Sequence, residues 1–388
     1  MNQTLRPPSR FDTAPDRRET DSMKWRKYVG TDILPMWVAD MDFPAPPVVL
    51  EALHRRIDHG VLGYGIPTEA LNEATVGMLQ DSYDWIVDPE SIVWLPGLVT
   101  GLNVACRAVE SPLIATAVPI YPPFLSAPGY AGCKAVTTPM IPDGCRYVTD
   151  MDHLDRILSV SDVRLFLLCN PHNPTGRVFT ETELLGILDA CDRHGVTICS
   201  DEIHCGLILD SDKRHIPIAS LSRRAAARTI TLMAPSKTYN IPGLYGSFAV
   251  IPDAGLRRQF LHIMRGIVPR INVLAMAAAE AAFRTGESWR LELIDYLRKN
   301  RRMVMEAVSG IPSLSMLHPE ATYLAWIDAR QMGHEDPVGY FERFGVGLSD
   351  GGEFGAPGFV RLNFGCPQST LTTGLNRLAA AAAAVTSS

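Results

Sequence analysis

A chain of 388 residues, 46% of them hydrophobic, is long enough to bury a substantial core and to form one large domain plus a smaller one. Its 36 basic and 42 acidic side chains leave a net charge of −6 with no Lys/Arg run, which argues against a nucleic-acid footprint and for small solutes as partners. No stretch approaches the roughly 18 apolar residues of a membrane span, and the polar opening MNQTLRPPSRFDTAPDRRETDS lacks the apolar centre of a secretion signal. Eight scattered Cys, with no CxxC and no Cys/His spacing suited to zinc, read as reduced, buried thiols. A cytoplasmic protein without a bound metal is therefore expected.

In chain order, residues 1–45 form an irregular segment expected to join the small domain, 46–285 the large domain, and 286–388 the C-terminal small domain. Between about 90 and 250 the short apolar runs SIVWL, LIATAV, RLFLLCN, VTICSD, RTITLMA and SFAVI alternate with helix-like segments. This is an α/β pattern, with helices on both faces of a largely parallel sheet whose strands are apolar throughout because both faces are buried. The helix from about Thr180 to His194 opens on a Thr180/Glu183 capping box, repeats Leu184, Leu185, Ile187, Leu188 and Cys191 at helical spacing, and stops at Gly195. Beyond about 253 the pattern changes to long helices, then the strands TYLAWIDA and FVRLNFGC, and a last Ala-rich helix. The glycine-rich DGGEFGAPG, 350 to 358, reads as a mobile loop.

Three polar residues fall at the ends of buried strands: Asn173 after RLFLLCN, Asp201 closing VTICSD, and Lys237 after RTITLMA. Parallel strands end on one rim, and ligands bind along that rim. Each residue alone has a plainer reading: Lys237 as solvated surface, Asp201 as a helix cap, Asn173 before Pro174 as a turn former. Arg361, on an apolar strand, demands an anion, either a ligand or a structural carboxylate.

The ordered motifs decide between these readings. LCNPHNPTGRVFT, SDEIH and APSKTYNIPG resemble the cofactor-binding pattern of fold-type I pyridoxal phosphate enzymes, the aminotransferase class I/II superfamily. With MWVADMDFPAP, YPPF, SKTYNIPGL and RLNFGCP, the chain is similar to the MalY/PatB branch of cystathionine β-lyases over residues 36 to 367. The resemblance implies a mostly parallel seven-stranded sheet between helices, a smaller α+β domain, and a homodimer with shared sites. It implies pyridoxal 5′-phosphate on Lys237, with Asp201 on the pyridine nitrogen, Asn173 and His204 at the ring oxygen, and Tyr121 stacked on the ring. The phosphate is assigned to Leu98, Val99 and Ser236, with Tyr64 reaching the partner's phosphate. Arg361 would grip the substrate carboxylate, with a backbone contact from Ala39 and Trp37 lining the pocket. Two positions depart from the aminotransferase form: Ala234 replaces a frequent Ser, and Tyr245 a phosphate-binding Arg. The expected activity is α,β-elimination from cystathionine or another cysteine S-conjugate. The alternatives are amino transfer, or a regulatory protein that keeps the cofactor without turnover.

Overall fold

The computed structural model describes residues 9–385. Its central sheet has eight strands in the spatial order Ile92–Leu95, Ser247–Val250, Thr229–Met233, Thr197–Asp201, Val163–Cys169, Leu113–Val118, Lys134–Asp143 and Arg146–Thr149. Ser247–Val250 and Arg146–Thr149 run against the others. All six expected runs are strands of this sheet. Side-chain alternation explains why they are apolar throughout. Leu165, Leu167 and Cys169 join a core with the helix Leu98–Ala108 and Phe260, while Phe166 and Leu168 join one with Leu184, Ile187, Leu188 and Cys191 of the helix Glu181–Arg193. Each such fully buried Leu or Phe contributes roughly 1.5–3 kcal/mol relative to exposure.

The sheet has eight strands where seven were expected. The extra hairpin partner, Arg146–Thr149, pairs with Lys134–Asp143, which is largely exposed and carries Pro139 and Pro142. An edge strand can be polar and hold Pro, so it lacks the apolar signature that marks the central ones. The capping box is present as read, with the Thr180 hydroxyl and the Glu183 carboxylate each accepting the other's backbone N–H.

The second sheet is antiparallel, in the order Ser315–Met316, Leu324–Asp328, Phe359–Asn363, Ser349–Asp350. The helix Glu287–Ser309 buries Trp289, Leu293, Tyr296, Leu297 and Val304 in a core shared with Phe11, Met36 and Phe43 from the N-terminal segment. The last helix, Gln368–Val385, lies where the Ala-rich stretch placed it. The glycine-rich stretch is not a loose loop. Gly351–Phe354 forms a 3-10 turn that buries Phe354, and Ile120 N donates to the Phe354 carbonyl at 3.0 Å. A single aromatic anchor overrides the flexibility that four glycines suggest. Six of the thiols are buried, but Cys133 is half-buried and Cys145 is exposed, at the tip of the edge hairpin where nothing packs over it. Among the described residues no helix is long and apolar enough to cross a membrane.

Candidate active site

Register brings the strand ends together. Cys169 pairs with Asp201 and Asp201 with Leu232, so the turns that follow these three parallel strands open side by side. Asn173, Asp201 and Lys237 thereby line one cavity of about 410 Å3 together with Tyr121, His204, Ser236 and Arg361. The Asn173 turn is stiff. Gly176 N donates to His172 O at 2.8 Å, His172 Nδ1 meets Thr175 Oγ1 at 2.9 Å, and the buried Arg177 is pinned by Glu320 at 2.6 Å and by Glu183. Gly176 sits at φ +71°, where a Cβ would lie 2.5 Å from Pro319 Cβ, so only glycine closes this turn.

The cavity concentrates charge that burial makes unstable. Asp201 is 3% exposed and accepts one hydrogen bond, from Ile203 N at 3.0 Å; desolvation pushes its carboxyl up to about 7. Burial lowers the Lys237 amine to about 8, and the Arg361 guanidinium to about 10. His204 is held well below its ordinary value, first by burial and then by Lys237 and Arg361, so its imidazole is neutral and has one N–H to donate. Arg361 has only neutral partners. Nη1 donates to Asn173 Oδ1 (2.9 Å), Nη2 to Trp37 O (3.0 Å) and Ser349 Oγ (3.3 Å), the Phe354 ring lies 4.7 Å away, and Nε has no acceptor. A buried cation so placed is complete only with an anion. The bond to Arg361 also orients the Asn173 amide, leaving its NH2 free to donate.

At one end of the cavity the helix Leu98–Ala108 begins. Its first N–H to close on the helix is Gly101's, on Gly97 O, so the N–H groups of Leu98, Val99 and Thr100 are available to an anion beside Ser236. Gly97 makes the turn at φ +127°. Tyr245, one of the two departures from the aminotransferase pattern, is exposed at the cavity wall. Tyr64 lies outside the cavity of its own chain, fully exposed.

Two substrate-side expectations change. The Trp37 indole does not line the cavity: its Nε1 donates to Lys24 O at 3.1 Å, and it is the Trp37 carbonyl that meets Arg361. Ala39 does line it, but its carbonyl accepts from Lys237 Nζ at 2.6 Å and from Tyr323 Oη at 2.9 Å, so a carboxylate contact there falls to its N–H. Sequence reasoning missed Tyr323, Asp40, Ser349 and Asn240. The signal for Asn240 was its place in SKTYN: its side chain bonds Met41 N, Met41 O and Phe43 O, docking the 36–43 segment onto the lysine turn.

Comparison with known proteins agrees with this geometry. The Aminotransferase class I and II model matches residues 31–378. Cystathionine beta-lyase PatB of Bacillus subtilis is 40% identical over 96% of this chain and 99% of its own length. The crystal structure of OvoB is 46% identical, with TM-score 0.93 over 96% of this chain and 98% of that one. The PLP-bound C–S lyase of Staphylococcus hominis is 31% identical, with TM-score 0.90 over 96% and 98%. By its motifs, its sheet order and a family match over nearly its whole length, the chain belongs to the aminotransferase class I and II family of pyridoxal phosphate enzymes.

Proposed function

We propose that this chain is a carbon–sulfur β-lyase that uses pyridoxal 5′-phosphate to cleave cystathionine or another L-cysteine S-conjugate. One observation carries the reading: an amine, a buried carboxylate, a primary amide, a neutral imidazole and an unpaired guanidinium line a single cavity. Two of the three named relatives are a cystathionine β-lyase and a PLP-bound C–S lyase. The net reaction is RS–CH2–CH(NH3+)–COO− + H2O → RSH + CH3–CO–COO− + NH4+.

The residues present fit the cofactor. Lys237 supplies the amine for its aldehyde carbon. Asp201, with one oxygen unbonded by the chain and a carboxyl raised to about 7, gains from a cationic ring N–H beside it. Asn173 and His204 have N–H groups for a phenolate oxygen, Tyr121 a ring to stack, and Leu98, Val99 and Ser236 the donors for a phosphate. The bound cofactor supplies an electron sink for the pair left when a Cα–H bond breaks. Arg361 holds the substrate carboxylate, its free Nε adding to a guanidinium already fixed by Asn173 and Trp37 O. Lys237, once free, moves the Cα proton; its amine at about 8 is partly unprotonated near neutral pH and can serve as base.

The working unit is read as a homodimer in the cytoplasm. Val61, Leu62, Tyr64 and Ile66 are exposed together, an apolar edge suited to a second copy, and Tyr64 would reach that copy's phosphate site. The test is incubation with cystathionine and S-alkyl cysteines while following pyruvate and thiol, with keto-acid amination in parallel. Thiol and pyruvate in equal amounts are expected. Amination without thiol release would make the chain an aminotransferase, and no turnover with Lys237 modified would make it a binding protein.

A further inference from the structure

The segment Trp37–Phe43 has no regular structure, yet its carbonyls are taken by side chains from elsewhere: Trp37 O by Arg361 and Ser349, Val38 O and Asp40 O by Asn363, Met41 O and Phe43 O by Asn240. Ala39 O receives the two donors that bear on the chemistry, Lys237 Nζ at 2.6 Å and Tyr323 Oη at 2.9 Å. A carbonyl oxygen has two lone pairs, and these two donors use both. Tyr323 is fully buried, and its backbone is anchored on each side. Phe364 N donates to its carbonyl, and the preceding Thr322 is held at φ +71° with its N–H on Leu207 O, a conformation β-branched residues seldom adopt.

We propose that Tyr323 is a positioning residue for the elimination: its hydroxyl fixes the Ala39 carbonyl as the resting acceptor for the Lys237 amine whenever that amine is free, keeping it within reach of the substrate's Cα. This rests on the reading of Lys237 as the proton-transfer group. In the step concerned, the Nζ lone pair takes the Cα proton, so that an N–H bond forms as the Cα–H bond breaks. The pair left behind expels the thiolate from Cβ, and the ammonium settles on Ala39 O. A neutral acceptor suits this task better than a carboxylate, because it orients the amine without locking the proton on it. The charged and titratable groups facing Lys237 are Asp40 from the N-terminal segment, Asp201 at the end of the Thr197–Asp201 strand and His204 just beyond it, and Arg361 from the second sheet. Tyr323→Phe leaves all of them in place and removes one hydroxyl.

The experiment compares Tyr323→Phe and Tyr323→Ala with the parent. In cofactor-free protein, the rate of adduct formation between pyridoxal phosphate and Lys237 is followed by absorbance across pH. The Phe variant is expected to react about five- to tenfold more slowly near neutral pH, with its profile moved to higher pH, because an Ala39 oxygen relieved of the tyrosine proton holds the ammonium more tightly. In turnover, kcat falls by about tenfold with KM nearly constant, and a Cα-deuterium isotope effect grows. Thermal unfolding of the Phe variant stays at the parent's value while the Ala variant drops. If Phe restores adduct formation, kcat and isotope effect to parental levels, Tyr323 is only packing and the proposal is overturned. If borohydride trapping in the parent marks a lysine other than 237, the reading beneath it fails instead, and the two failures are told apart.

Discussion

The strand Thr197–Asp201 in the eight-stranded sheet carries its one charge at the last position, where it opens into the cavity, whereas Phe359–Asn363 in the four-stranded sheet carries Arg361 at its centre. Both residues are almost fully buried, at 3% and 4% exposure. The difference is in what surrounds them. Asp201 has one protein hydrogen bond and an open side; Arg361 is caged by an amide, a carbonyl, a hydroxyl and a phenyl ring with one donor left over. A charge at a strand end is shaped by the ligand it will meet, while a charge inside a strand is oriented by the protein beforehand and waits for a single anion.

Breaking the rim side should cost most. Lys237→Ala is expected to abolish the covalent adduct with the cofactor and to lower turnover by about 10³-fold or more, checked by absorbance and pyruvate release. Retention of the adduct would move the lysine elsewhere. Asp201→Asn tests the same rim through stability. A carboxyl whose folded value is raised from 3.8 to about 7 destabilises the cofactor-free fold once it ionises; the cost is absent below the unfolded value and complete above the folded one. Cofactor-free Asp201→Asn should therefore be more stable than the parent by roughly 4 kcal/mol at about pH 8, the gap closing near about pH 4, while its turnover falls. Urea unfolding at the two pH values measures it, and equal stability at the higher pH would mean that the carboxylate is better solvated than its burial indicates.

On the other sheet, Arg361→Ala should keep the adduct absorbance and reduce kcat/KM by about 10- to 100-fold, chiefly through KM. Arg361→Lys should not recover it, because a point ammonium cannot hold Asn173, Trp37 O and a carboxylate at once. The smallest effect lies outside both sites: Thr180→Ala removes one half of a capping box and should cost about 1 kcal/mol with activity intact. Loss of activity there would show that the Arg177–Glu183 pair transmits helix fraying to the Asn173 turn.

What could be read from sequence followed local rules. Strands buried on both faces must be apolar throughout, so VTICSD and RLFLLCN announced themselves, and with them the rim where Asn173, Asp201 and Lys237 meet. The edge hairpin Lys134–Asp143 and Arg146–Thr149 did not, because exposed, proline-bearing strands at the edge of a sheet have no such signature. Tyr323 was hidden for another reason. Its partner, Ala39, is 284 residues away in sequence, and the contact is with a backbone oxygen, which leaves no trace in side-chain type. Trp37 and Phe354 show the reverse error: an aromatic beside a motif points away from the cavity, while one in a glycine-rich stretch lies against its guanidinium.

The tight fit at Gly176 has a mechanical result. Ala321 N donates to Gly176 O, the glycine leaves no room before Pro319, and the buried Arg177–Glu320 pair crosses the same seam. The stretch that leads to Tyr323 is thus riveted to the turn that carries Asn173. Any rearrangement that narrows the cavity has to swing about this rivet, so the distance from the Asn173 amide to the Tyr323 hydroxyl should hold constant while the outer wall moves.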